Sequence, residues 1–220
     1  MKALIFDTET TSITEAEIIE AAWIQPDGTG EYCERFMPEG DISLGAMATH
    51  HIIPADLDGC RPSSVFALPS VDYLIGHNVD FDWKAAGEPA VKRICTLALS
   101  RWLFPEIDSH SQTAMMYHLF PKEEAREHCK NAHNALADVK VCRMLLDALV
   151  DEMESRDIPA GNWEEIWQAS ETARIPTVMT FGKHKDTAVK DVPRDYMRWY
   201  LGQADTDEYL RQAFIKHIYG

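Results

Sequence analysis

Ala3-Leu4-Ile5-Phe6-Asp7-Thr8-Glu9-Thr10 is the stretch that decides how the rest of the chain is read. Residues 3–6 form a short apolar run, β-branched at Ile5 and aromatic at Phe6, that ends abruptly in acid. The pattern predicts a buried strand whose C-terminal tip carries two carboxylates. Strand residues two apart share a face, so Asp7 and Glu9 project together. Adjacent carboxylates repel and raise each other's pKa unless a cation sits between them. A hard divalent metal with oxygen ligands would fill that place. A plain polar strand end running into a loop gives the same local pattern, so the choice rests on the rest of the chain.

The 220 residues suffice for one core of about 150 residues and a smaller appendage. An apolar content of 45% beside 26% charged residues is that of a soluble globular protein. Asp7 and Glu9 interrupt any apolar core of a secretory signal. No apolar run approaches the ~20 residues of a membrane span. The five cysteines (Cys33, Cys60, Cys95, Cys129, Cys142) form no C-x-x-C pair. They suit buried thiols in a reducing cytoplasm, where the protein is expected. His110, His118, His128 and His133 do not have the paired short spacing of a structural zinc site either.

The net charge of −15 argues against tight nucleic-acid binding, but it is unevenly spread. Residues 173–220 carry 8 Lys/Arg against 6 Asp/Glu, whereas residues 1–172 carry 13 against 30. Such a chain can still bind nucleic acid if metal neutralises its clustered acids and its basic contacts are local. The expectation is a low-affinity, salt-sensitive, distributive protein.

Working outward from the opening stretch, residues 17–24 and 29–37 read as two further strands joined at Pro26-Asp27-Gly28. Residues 43–50 read as a helix. Residues 71–75 lead as a strand into Gly76-His77-Asn78-Val79-Asp80-Phe81-Asp82, with Asp82 in the first turn of the next helix. Helices follow at 96–103 and 111–119, punctuated by Pro105 and Pro121. The longest covers 134–154, with Ala135, Val139, Cys142, Leu145, Leu146 and Leu149 on its apolar face. Asp138 shares that face with Ala135 and Cys142, an awkward position for a poor helix former. Strands first, then alternating strand and helix, predict an α/β mixed sheet flanked by helices. In open α/β sheets ligands lie off the strand C-termini, where Asp7 and Glu9 stand. The expected domains are 1–155, a linker with a short amphipathic helix at 156–178, and a small α+β module at 179–220.

Ile5-Phe6-Asp7-Thr8-Glu9-Thr10-Thr11, His77-Asn78-x-x-Phe81-Asp82 and His133-Asn134-Ala135-Leu136-x-Asp138 together resemble the three ordered motifs of the DnaQ-like, or DEDDh, 3′→5′ exonucleases. Ser12 and His51 stand where that family often has Gly. The resemblance implies a ribonuclease H-like fold, with Asp7, Glu9, Asp82 and Asp138 holding two Mg²⁺ or Mn²⁺ ions. It implies His133 as general base in hydrolysis of a terminal phosphodiester, releasing a nucleoside 5′-monophosphate. It also implies that backbone at Thr8, Thr10 and Thr11 grips the terminal nucleotide, that Ile13 wedges on the last base, and that Met47 and His50 flank it. The expected substrate is single-stranded DNA or a DNA 3′ end, with RNA the alternative and no membrane partner. A non-catalytic nucleic-acid-binding protein on the same fold would not need five converging groups. A nucleotide phosphatase would release inorganic phosphate instead.

Thr180-Phe181-Gly182-Lys183-His184-Lys185-Asp186-Thr187 resembles a small C-terminal module of the exonuclease X branch of that family. Asp186 takes the place of its usual Gly. The expected structure is a strand, a turn and a helix from near Pro193, with Tyr196, Trp199 and Tyr200 in a small core. Lys183, Lys185, Lys190 and Arg198 are either solvated or steer a strand of nucleic acid.

Overall fold

The computed structural model describes residues 2–179, 181–204 and 206–219, apart from the Asn131 side chain. Thr180, the first residue of the C-terminal motif, lies outside them. The chain divides into two compact units, Met1–Ser170 and Glu171–Gly220.

The first unit is built on six strands: β1 (Ala3–Thr10), β2 (Ile18–Ile24), β3 (Tyr32–Met37), β4 (Arg61–Pro62), β5 (Tyr73–Gly76) and β6 (Lys92–Cys95). Their order across the sheet is β4-β3-β2-β1-β5-β6. β1 to β3 form an antiparallel meander, and β5 and β6 continue from β1 in parallel. This is the mixed α/β sheet expected. The helices of the unit are α1 (Leu44–His50), α2 (Asp80–Ala85), α3 (Thr96–Leu103), α4 (Gln112–Leu119), α5 (Lys122–His128) and α6 (Ala135–Ser155). α7 (Trp163–Arg174) spans the division between the units.

β1 is longer than the apolar run predicts, because the acids lie inside it rather than at its tip. Its neighbours explain this. β2 pairs with β1 as far as Thr10, so the antiparallel side holds the chain extended through Asp7 and Glu9. The parallel partner β5 pairs only with Ala3, Leu4 and Ile5. Gly76 closes β5 close against β1: a Cβ there would stand 3.0 Å from the Phe6 carbonyl oxygen. Beyond it the chain turns into α2, and the Asp82 carboxylate receives the Thr8 N–H in place of a strand.

α6 packs on β1 and β2 and carries the main buried face of the unit. Ala135, Val139, Cys142, Leu145, Leu146 and Leu149 are all buried, as their spacing predicts. Each buried leucine contributes roughly 1.5–3 kcal/mol of transfer free energy. Asn134 caps the helix, its side chain accepting the Ala137 N–H at 3.1 Å. Phe6, Leu74 and Val79 belong to a further cluster against which Trp83 of α2 packs.

The second unit differs from its prediction. Among the described residues no strand forms at the Phe-Gly-Lys-His-Lys stretch: Gly182–His184 is a 3₁₀ turn, and only Val178 and Ala188 form a β-bridge. Gly182 (φ +72°) and Asp186 (φ +64°) both have left-handed backbone, which breaks an extended path. α8 (Arg194–Leu201) begins after Pro193, as expected, and α9 (Glu208–Tyr219) follows. The core holds Met179, Val189, Val192, Met197, Tyr200, Leu210, Ala213 and Phe214, with Tyr196 packed against it. Trp199 does not join the core: it is 58% exposed.

Candidate active site

Asp7 and Glu9 reach the same side of β1, and α6 brings Asp138 to meet them. One carboxylate oxygen from each of the three lies within 4.8 Å of the others. Asp82 is buried on α2, where its Oδ1 accepts from the Thr8 N–H at 2.9 Å and the Thr8 hydroxyl at 2.7 Å. It stands apart from the tight trio but within electrostatic reach of Asp7 and Glu9.

Four acids gathered from β1, α2 and α6 resist ionisation. Burial lifts Asp7 well above the usual carboxylate range, and the charges of Asp82, Asp138, Glu9 and Glu20 add to it. Glu9 is pushed up to about 8, by burial first and then by Asp138, Glu20 and Asp82. Burial raises Asp82 to about 7 against the pull of the Thr8 hydroxyl and N–H. Asp138 is raised by burial, opposed chiefly by the His133 N–H. Such a set is relieved by protons or by cations.

His133 is exposed on the loop that leads into α6, with left-handed backbone at φ +67°. Its N–H donates to Asp138 Oδ2 at 2.8 Å, which ties the loop to that acid. His77 is a different kind of histidine. Its Nε2 meets the His110 carbonyl at 2.9 Å and its Nδ1 the Thr96 hydroxyl at 3.0 Å. Facing a carbonyl, Nε2 must carry the proton, and burial holds the ring neutral with a pKa lowered to about 4. It joins β5 to the start of α3 and to the loop before α4.

The residues expected at the substrate divide into two groups. Thr8, Thr10 and Thr11 are buried along the end of β1. The Thr8 N–H is engaged by Asp82 and the Thr11 N–H by the Glu17 carbonyl, so neither is free for a ligand. Thr10 turns its hydroxyl to the Ser12 carbonyl at 3.0 Å. Ile13 is 88% exposed just beyond β1. Met47 packs on the cluster of Ile19, Ile42, Ile52 and Leu57, and the adjacent His50 is buried, its Nδ1 accepting the Ile52 N–H at 3.0 Å.

Two residues escape the sequence reading. Gln112 on α4 donates from Nε2 to the Asp138 carbonyl at 3.0 Å and to Oδ1 at 3.3 Å. Nothing in its local sequence marks it. Glu20 is only 2% exposed in the middle of β2, opposite Glu9 in the strand register. An acid inside an apolar strand is a signal, since glutamate is rarely buried unpaired.

No protein-family model matches the chain. It is 30% identical over 224 residues to exodeoxyribonuclease 10 of Escherichia coli, covering 97% of this chain and 96% of that protein. It is 28% identical over 185 residues to the PolC-type DNA polymerase III of Oceanobacillus iheyensis, covering 70% of this chain and 12% of that polymerase. Among solved structures it is similar in fold to exonuclease X in complex with 5′ overhanging duplex DNA. That match has a TM-score of 0.55 and 23% identity, over 76% of this chain and 99% of the other. The near full-length likeness to exodeoxyribonuclease 10, on a chain with a mixed sheet of ribonuclease H-like type, means that this protein belongs to the DnaQ-like, or DEDDh, family of 3′→5′ exonucleases.

Proposed function

We propose that the protein is a divalent-metal-dependent 3′→5′ exodeoxyribonuclease that removes nucleoside 5′-monophosphates from DNA 3′ ends. The observation that carries this reading is the convergence of Asp7, Glu9 and Asp138 within 4.8 Å, with His133 tied to Asp138. The donor set fits hard cations, because every group offered is a carboxylate oxygen and the cluster is short of positive charge. Asp7, Glu9, Asp82 and Asp138 would hold two Mg²⁺ or Mn²⁺ ions. Bound there, such ions would supply Lewis-acid stabilisation of the phosphate and a lowered pKa for water.

The chain's own groups do the rest. His133 takes a proton from the attacking water as its oxygen bonds to the terminal phosphorus. The P–O3′ bond breaks, the penultimate 3′ oxygen leaves and is protonated from solvent, and the 5′-monophosphate departs. Asp82 braces Thr8, between the two acids of β1, through two hydrogen bonds. Ile13, exposed just beyond β1, is suited to pack on the terminal base, and Met47 and His50 lie in the segment taken to flank it. DNA is favoured as substrate by the name of the 30% identical relative and by the duplex DNA bound in the exonuclease X structure.

Two measurements on one pair of proteins test this. Chromatography of the wild-type products should give nucleoside 5′-monophosphates; release of inorganic phosphate would point to a phosphatase instead. His133→Ala should lose about 10²–10⁴-fold in kcat while calorimetry shows Mn²⁺ binding retained. A variant as active as wild type removes His133 from the role of base.

A further inference from the structure

Glu20 is the buried acid that the proposed chemistry does not use. It lies on β2 with Glu9 as its Cα partner on β1 and Arg35 on β3. Like charges directly opposite across strands are unfavourable, and Glu20 adds to the rise of both Glu9 and Asp7. An acid at this position therefore works against ionisation of its neighbours unless its own contacts offset that cost.

Those contacts point at α6. Glu20 Oε2 accepts from Arg35 Nε at 2.8 Å, while Oε1 accepts from the Ala135 N–H at 3.1 Å and Asn134 Nδ2 at 3.3 Å. Arg35 alone would satisfy the charge, so the second oxygen is the informative one. Ala135 is the first residue of α6, and an N–H in the first helical turn has no acceptor within its own helix. Glu20 supplies one from the sheet. The anchored pair 134–135 sits between His133 and Asp138, which are themselves joined by the His133 N–H.

We propose that Glu20 is a positioning residue: it pins the start of α6 to the strands that carry Asp7 and Glu9, and so sets where His133 and Asp138 stand over them. The inference rests on the functional reading above and deepens it. Geometry, not charge, is what Glu20 contributes, and two substitutions separate these. Glu20→Asp keeps the charge and the burial but is one methylene too short to reach the Ala135 N–H. Glu20→Gln gives up the charge but keeps an oxygen at that distance. Arg35, with 39% of its side chain exposed, can then turn to solvent.

The experiment compares both variants with wild type for exonuclease kinetics, and, in metal-free protein, for amide hydrogen exchange at residues 135–138. Glu20→Asp should lower kcat by about tenfold or more with the oligonucleotide KM within about twofold. Its Ala135 amide should exchange faster by a similar factor. Glu20→Gln should stay within about threefold of wild type in kcat, with Ala135 still protected. The proposal is overturned if Glu20→Gln falls as far as Glu20→Asp, or if both lose thermal stability with kcat intact. A wild-type protein without exonuclease activity would sink the functional reading, and the exchange comparison alone would then decide the anchor.

Discussion

At the residue scale, the four acids set a conflict between stability and use. Glu9 at about 8 and Asp82 at about 7 hold protons in the folded chain that the unfolded chain releases near ~4. The sign follows from linkage: groups raised on folding contribute stability in full below the unfolded pKa, and that stability is lost as pH rises toward the folded values. The melting temperature of the metal-free protein should therefore fall between pH 5 and pH 8, and Mg²⁺ or Mn²⁺ should restore it most at pH 8, where fewer protons compete. Asp7→Asn, by removing one charge from the cluster, should raise the metal-free melting temperature at pH 8 by roughly 2–4 °C while abolishing activity. A flat profile in EDTA would mean that the acids are not coupled in solution. These side chains were legible because each sits in a motif whose local chemistry is unusual: acid after an apolar run, acid inside a helix face. Gln112 was not, since its partner Asp138 is 26 residues away and a glutamine on a helix says nothing by itself.

At the element scale, left-handed backbone occurs in residues other than glycine in or beside the family motifs, at His51 (φ +60°), Asn78 (+68°), His133 (+67°) and Asp186 (+64°). His51 ends α1, its N–H donating to the Met47 carbonyl at 2.9 Å. A left-handed conformation costs an L-residue roughly 1–2 kcal/mol, part of which glycine gives back in chain entropy. His51→Gly should therefore stabilise the fold by up to about 1 kcal/mol, read as a rise in urea midpoint with unchanged slope; destabilisation would show that the His51 ring makes a contact of its own. At His51 and Asp186, where the resemblance leads one to expect glycine, the backbone is left-handed all the same. Long, periodic elements such as α6 were legible from spacing alone. β6 and α5 leave no mark in the sequence, because Lys-Arg-Ile-Cys and a charged seven-residue helix lack a clear period and take their form from neighbours. The C-terminal strand that the sequence predicts gives way to a turn because Gly182 and Asp186 both take left-handed backbone, which the pattern of residues does not reveal.

At the scale of the whole molecule, the charge is divided as the sequence shows: strongly acidic over residues 1–172, slightly basic over 173–220. Among the described residues no helix is long and apolar enough to cross a membrane. The 21 Lys/Arg are outnumbered by 36 Asp/Glu, which repel the phosphates. The logarithm of the DNA affinity should accordingly fall with the logarithm of salt with a slope of only about −1 to −3, measured by fluorescence anisotropy on Asp7→Asn protein. A slope near −8 would contradict this expectation.

The central claim is that the convergent acids make a metal-dependent exonuclease. The most direct measurement follows a 5′-labelled single-stranded DNA and its RNA counterpart with Mg²⁺, with EDTA, and with Asp7→Ala protein in Mg²⁺. The expected result is a ladder shortening from the 3′ end of the DNA, faster than of the RNA, and absent both in EDTA and in the variant. Shortening that persists in EDTA or in Asp7→Ala, or the absence of any shortening with Mg²⁺ or Mn²⁺, would contradict it.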